Sequence, residues 1–335
     1  MGDLQALLVM GEPVYRELFG AAERERLSAL ASLGDPACSE AFDDAALARL
    51  AEVEVLITSW GCPPITPEIL DAAPRLRAIL HAAGSVRELL PPQVHERGIT
   101  VTSAADANAI PVAEFTLAAI ILAGKRAIPM AAINRDLPVT WGGVDTSALS
   151  NRGRTIGLVG FSRIGRRTLD LVRRVLEPAR VLVADPYADA AEGAPAGGAL
   201  VPLPALLAAS ESVSLHAPLV ESTRGMIGAA ELALLPNGAT LINTARGGVL
   251  DHDALLRECA GGRLDAILDV TEPEPLPAGH GLLTLPNVLV TPHLAGSLGS
   301  ETRRLAQHAL DALEALSSDT PIPGVVTPEA MGLSA

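Results

Sequence analysis

Thr155-Ile156-Gly157-Leu158-Val159-Gly160-Phe161-Ser162-Arg163-Ile164-Gly165 is the stretch that decides the fold. Residues 155–159 are apolar and of strand length. The run breaks at Gly160, and from Arg163 the pattern turns helical. Strand, tight glycine turn and helix in immediate succession open a βαβ unit. Such a unit predicts a parallel sheet with helices packed on its faces.

Outward from this stretch the same alternation repeats. On the N-terminal side, strands are expected at 4–10, 53–59, 76–81 and 99–103, with amphipathic segments at 24–33 and 67–72. Residues 109–131 read as one long apolar helix. The polar stretch 134–154, with Trp141-Gly142-Gly143, reads as an extended arm. On the C-terminal side, strands are expected at 181–185 and 212–216, followed by three further apolar runs and a final helix over 298–316. The 335 residues favour about two domains. The fold class is therefore α/β, with two βα series.

Composition excludes several functions. The net charge of −14 argues against nucleic acid as a partner, because phosphate-backbone binding needs clustered Lys and Arg. No apolar stretch reaches about 18 residues, the best being 115–124, so no membrane partner is expected. Met1-Gly2-Asp3-Leu4-Gln5 lacks the basic start of a signal peptide. Cys38, Cys62 and Cys259 are scattered without metal-ligand spacing. The expectation is a cytoplasmic, reduced, metal-free chain.

Gly160-x-Ser162-x-x-Gly165 is the dinucleotide fingerprint G-x-G-x-x-G with its middle glycine replaced by serine. Gly160 permits the tight turn and Gly165 the close helix-to-strand packing, while the helix N-terminus attracts a pyrophosphate. Ser162 stands where backbone approaches phosphate, and its hydroxyl can donate to a phosphate oxygen instead. Asp185 ends the next expected strand, 20 residues past Gly165. A carboxylate there bonds ribose hydroxyls and repels a 2′-phosphate, which favours NAD over NADP. The alternative for Asp185 is a turn former before Pro186.

Each of the last three apolar runs ends in a residue able to do chemistry: 239–245 before Arg246, 264–268 before Asp269 and Glu274, and 288–292 before His293. Ligands of open parallel sheets bind beyond the carboxyl ends of the strands. Strands that end together gather a guanidinium, a carboxylate and an imidazole at one mouth.

The blocks 157–165, Leu215-His216-Ala217-Pro218-Leu219, 242–248, 268–275 and 291–296 resemble those of the D-isomer-specific 2-hydroxyacid dehydrogenases, including the hydroxypyruvate/glyoxylate reductases and phosphoglycerate dehydrogenases. The resemblance implies two doubly wound parallel-sheet domains. A Rossmann NAD-binding domain over 106–295 is inserted into a flavodoxin-like substrate domain of 1–105 plus 296–335. It further implies a homodimer, built through the helix at 109–131 and the arm around Trp141. By the same resemblance Arg246 holds the substrate carboxylate and polarises its carbonyl. His293 is the acid/base, and Glu274 orients the imidazole and favours its charged form. Glu272 lies two residues too early for that role. Asp269 is implied near the nicotinamide carboxamide and Arg163 with Ile164 at the pyrophosphate. The further cofactor contacts implied are His216, Pro218, Thr223, Thr244 and Ala245.

The turn Ala82-Ala83-Gly84-Ser85 resembles the family loop whose amides cradle the substrate carboxylate. Val86 stands where the family usually carries an acid. Arg87 pairs a second anionic group or is a solvated charge; Trp60 walls the pocket or packs in the core. His81 and His216 read as satisfying strand-end hydrogen bonds, and His252 and His308 as exposed. The activity implied is hydride transfer between nicotinamide and the C2 position of a small 2-ketoacid or 2-hydroxyacid. The alternative is an NADH-responsive regulatory protein resembling the family's corepressors.

Overall fold

The computed structural model describes residues 4–136, 146–147, 149–177, 179–188 and 197–333. The chain divides into two compact units, Met1–Ala109 with Ser297–Ala335, and Ile110–Gly296. The first division falls inside a helix, Ala105–Gly124.

The first unit is a five-stranded parallel sheet of β1 (Leu4–Val9), β2 (Ala31–Ser39), β3 (Val55–Thr58), β4 (Ala78–His81) and β5 (Thr100–Ser103). Its order is β2-β1-β3-β4-β5, the doubly wound flavodoxin-like arrangement. All four residues of β3 and of β4 are buried, as a sheet covered on both faces requires. One face packs Leu8, Ile57 and Leu80 against Leu305 and Leu313 of the C-terminal helix Thr302–Ser317. The other packs Leu7, Leu56 and Ile79 against Leu50, Leu70 and Val94.

The sequence pattern missed β2, running a helix over 24–33 where the helix is Ala21–Leu30 and the strand begins at Ala31. Gly34-Asp35-Pro36 reads as a turn. In the fold it is accommodated by a register irregularity on an edge strand, where a missing N–H costs no ladder bond.

The second unit holds β6 (Thr155–Val159), β7 (Arg180–Ala184), β8 (Ala199–Leu200), β9 (Ser212–Leu215), β10 (Thr240–Asn243), β11 (Asp265–Leu268) and β12 (Val288–Val290). The parallel order is β12-β11-β10-β9-β6-β7-β8, which reverses direction at β6, where the crevice of such sheets lies. Leu206, Leu232 and Leu255 cover one face; Ala119, Ile120, Leu169 and Val172 cover the other.

The single helix expected over 109–131 is two, Ala105–Gly124 and Ala127–Asp136. Arg126 between them has φ 47° and donates through Nε and Nη2 to the two carboxylate oxygens of the buried Asp265, at 2.9 and 3.1 Å. Pro129 gives the physical reason: a continuous helix would drive its ring into the Lys125 carbonyl. The first helix, with a hydropathy of 1.6, is long and apolar enough to cross a membrane by length and composition, and half of it is buried within the chain. This corrects the expectation that no apolar stretch reaches such a length: Asp106 and Glu114 punctuate the segment, and the apolar run read from residue type begins only after Glu114. Trp141 and its neighbours lie outside the described residues.

Candidate active site

The glycine turn after β6 is built as its residue types demand. Gly160 has φ 99°, and a Cβ there would come within 2.6 Å of Ala217 N and 2.7 Å of His216 C. A Cβ on Gly165 would lie 2.3 Å from the Gly160 carbonyl oxygen. Both positions admit only glycine. Ser162 is the N-cap of the helix Arg163–Val175, its Oγ accepting from Gly165 N at 3.4 Å. The serine that replaces the middle glycine thus finishes the helix start, and its hydroxyl proton stays available to a phosphate.

Asp185 follows β7 directly. Its Oδ2 accepts from Phe161 N at 2.6 Å and its Oδ1 from Tyr187 N at 2.8 Å. The carboxylate therefore ties the glycine turn to the end of β7, combining the turn-former reading with the position a ribose needs. Two oxygens offer about four acceptor sites, so two bonds leave room for ribose hydroxyls.

His216 corrects an expectation. Its side chain is buried and, among the described residues, neither ring nitrogen has a hydrogen-bond partner, so it makes no strand-end bond there. Burial pushes its pKa down to about 3, which keeps the ring neutral. Thr223 Oγ1 donates to the Pro218 carbonyl at 2.5 Å and accepts from Val220 N at 2.9 Å, closing the loop after β9. Thr244 is buried, with its hydroxyl 2.8 Å from that of Thr116. Asn243, which the sequence reading passed over, accepts from Ala245 N at 3.0 Å and donates to the Arg246 carbonyl at 3.0 Å. An amide ending an apolar strand was the available signal.

Arg246, Glu274 and His293 follow the adjacent strands β10, β11 and β12 at their C-terminal edge. Arg246 is partly buried and donates to the Ala245 carbonyl at 2.7 Å. Gly247 lets its loop touch the next one: a Cβ there would lie 2.1 Å from Thr271 backbone. His293 Nδ1 is 2.6 Å from Glu274 Oε1, with the two side chains 49% and 42% exposed. A pair so exposed adds only about 0–1 kcal/mol to stability; its effect is to orient the ring. Glu272 instead bonds Arg224, at 2.6 Å, which leaves Glu274 as the partner of the imidazole.

Asp269 ties together the loop that follows β12. Buried at 1% exposure, it accepts from Thr291 Oγ1 at 2.6 Å, Leu294 N at 2.8 Å and Ala295 N at 2.9 Å. Its own carbonyl accepts from His293 N at 2.9 Å. His293 has φ 53°, a left-handed conformation costing about 1–3 kcal/mol. The carboxylate of Asp269 builds the turn that holds it there.

The predicted substrate contacts belong to the first unit. Ala83 is buried, Gly84 and Ser85 are partly buried, Val86 is fully buried and Arg87 is exposed. Among the described residues the amides of Ala83 and Gly84 donate to no protein acceptor. Trp60 is 40% exposed, which removes core packing as its reading. His252 is buried, with Nδ1 3.1 Å from the Leu250 carbonyl, and His308 is partly buried; neither is exposed as expected. No group of three or more metal-ligating side chains occurs among the described residues.

The glycine cradle, the capped helix and Asp185 fit a dinucleotide. Residues 119–295 match the family model described as D-isomer specific 2-hydroxyacid dehydrogenase, NAD binding domain. A glyoxylate reductase of Korarchaeum cryptofilum is 34% identical over 289 residues, covering 84% of this chain and 85% of that one. A D-3-phosphoglycerate dehydrogenase of Mycobacterium bovis is 32% identical over 311 residues, 91% of this chain, which spans 58% of that longer protein. The crystal structure of a glyoxylate reductase from Paecilomyes thermophila superimposes with a TM-score of 0.76 at 25% identity, covering 97% of this chain and 99% of that one.

Proposed function

Since this chain belongs to the D-isomer-specific 2-hydroxyacid dehydrogenases, which bind NAD, we propose that it interconverts a small 2-ketoacid and its D-2-hydroxyacid. The observation that carries this is the 2.6 Å bond between His293 and Glu274 beyond adjacent strands. When bound, the nicotinamide supplies the hydride in reduction and takes it back in oxidation. Gly160, Ser162, Arg163, Ile164 and Gly165 would hold the pyrophosphate and Asp185 the ribose, with His216, Pro218, Thr223, Thr244 and Ala245 as the remaining contacts.

Arg246 binds the substrate carboxylate, for which a planar and permanently charged guanidinium is suited. It also polarises the C2 carbonyl. His293 gives its proton to the carbonyl oxygen during reduction and recovers it during oxidation. Glu274 accepts from Nδ1, so the other ring nitrogen faces the reacting oxygen. The amides of the turn at Ala83, Gly84 and Ser85 cradle the carboxylate; Trp60 and Arg87 border the R group. Asp269 acts through the turn that carries His293.

Glyoxylate and hydroxypyruvate head the substrates proposed, by likeness to the relatives. The test is NADH oxidation against glyoxylate, hydroxypyruvate, pyruvate and bulkier 2-ketoacids. Turnover of at least one is expected; tight NADH binding without turnover on any would point to a regulatory NADH-binding protein instead. Asp185→Ser is expected to narrow the preference for NADH over NADPH about tenfold, since a carboxylate no longer repels the 2′-phosphate. Unchanged selectivity would leave Asp185 with its backbone bonds alone.

A homodimer in the cytoplasm is also proposed. Leu122 and Ile133, on the two apolar helices, are 40% and 46% exposed in the single chain, and the three cysteines are free thiols. Light scattering on the purified chain reads the oligomeric state.

A further inference from the structure

In the first unit, β3 and β4 end side by side, with Thr58 and His81 in register. His81 is 5% exposed and its Nδ1 lies 2.9 Å from Thr58 Oγ1. The ring also hydrogen-bonds the backbone of Ser85, in a contact that favours the protonated form. The ring is therefore the donor and the Ser85 carbonyl the acceptor. A neutral imidazole has one donor and one acceptor. These contacts use both, with the Thr58 hydroxyl donating to Nδ1. Burial pushes the His81 pKa down to about 4, so the ring is neutral near pH 7, as this pairing requires.

The rest of the turn is tied from the same side. Ser59 Oγ donates to the Ala82 carbonyl at 2.8 Å, and Ala104 N to the Ala83 carbonyl at 3.0 Å. The carbonyls of Ala82, Ala83 and Ser85 are thus all engaged. Among the described residues the amides of Ala83, Gly84 and Val86 donate to no protein acceptor. Open amides at Ala83 and Gly84, held beside the engaged carbonyls of Ala82 and Ala83, make a concavity for an anion.

We propose that His81, together with Thr58, is a positioning residue that fixes the turn at 83–85 as an amide cradle for the substrate carboxylate. The proposal rests on the reading of this protein as a 2-ketoacid reductase and adds to it a buried pair that sets carboxylate affinity without touching substrate. An ordinary core histidine would contribute to folding alone.

The experiment compares Thr58→Val, His81→Phe and His81→Gln with the wild-type chain, using the best 2-ketoacid of the panel and NADH. Thr58→Val and His81→Phe are expected to raise KM for the ketoacid about tenfold, the equivalent of one hydrogen bond, with kcat held within about threefold and NADH affinity unchanged. Glutamine can donate to Ser85 and accept from Thr58, so His81→Gln is expected to recover most of the affinity. Unchanged KM in the first two variants would overturn the proposal. So would a joint loss of kcat, NADH binding and folded fraction that glutamine does not rescue.

If the wild-type chain reduces no ketoacid, the functional reading fails, and the cradle is read from binding of oxamate to the NADH-loaded protein. Binding weakened about tenfold in Thr58→Val would support it. Equal binding, or none by the wild-type chain, would overturn it.

Discussion

Replacing His293 by alanine is expected to lower ketoacid turnover at least about 100-fold, the usual scale of general acid-base catalysis, with little change in NADH affinity. The imidazole is 49% exposed and its carboxylate partner 42%, so removing it opens no core cavity and the fold should survive. Thermal unfolding within a few degrees of wild type, together with collapsed turnover, is the expected signature. Near-normal turnover in His293→Ala would end the assignment of this residue as the proton donor. Glu274→Gln retains an acceptor for Nδ1 but no charge, so a smaller loss is expected there.

The second large effect belongs to a residue that touches no substrate. Asp269→Asn replaces one carboxylate oxygen with an amide that donates. The buried carboxylate accepts three bonds, from the Thr291 hydroxyl and from Leu294 N and Ala295 N. An asparagine cannot accept all three, so a buried donor loses its partner at a cost of about 1–3 kcal/mol. Because that bond set holds His293 at φ 53°, turnover should fall along with stability. Denaturant unfolding and kcat measured on one preparation check this; wild-type values for both would show that the turn does not depend on the charge.

The glycine turn and the three strand-end residues were legible because each rests on local rules. A strand that breaks at Gly160 into a helix, and apolar runs that end in Arg246, Glu274 and His293, carry their meaning in residue type and spacing. β2 was not legible, since Gly34-Asp35-Pro36 obeys the rule for turns and only its place at a sheet edge makes it tolerable in a strand. The break at Arg126 was hidden for a similar reason. Its left-handed backbone is stabilised by Asp265, 139 residues away, and no local pattern contains that pair.

The site divides in the same way. The α/β class, the glycine turn and the side chains chemically able to act follow from residue order alone, because strand periodicity, glycine sterics and side-chain functional groups are properties of short segments. The folded chain adds what spacing does not show: Asp269 ties together the turn that carries His293, Asn243 braces the loop before Arg246, and, among the described residues, His216 is buried without the strand-end bond expected of it. Those roles depend on hydrogen bonds between separate strands and loops, set by parallel pairing and burial, which residue spacing along one chain does not encode.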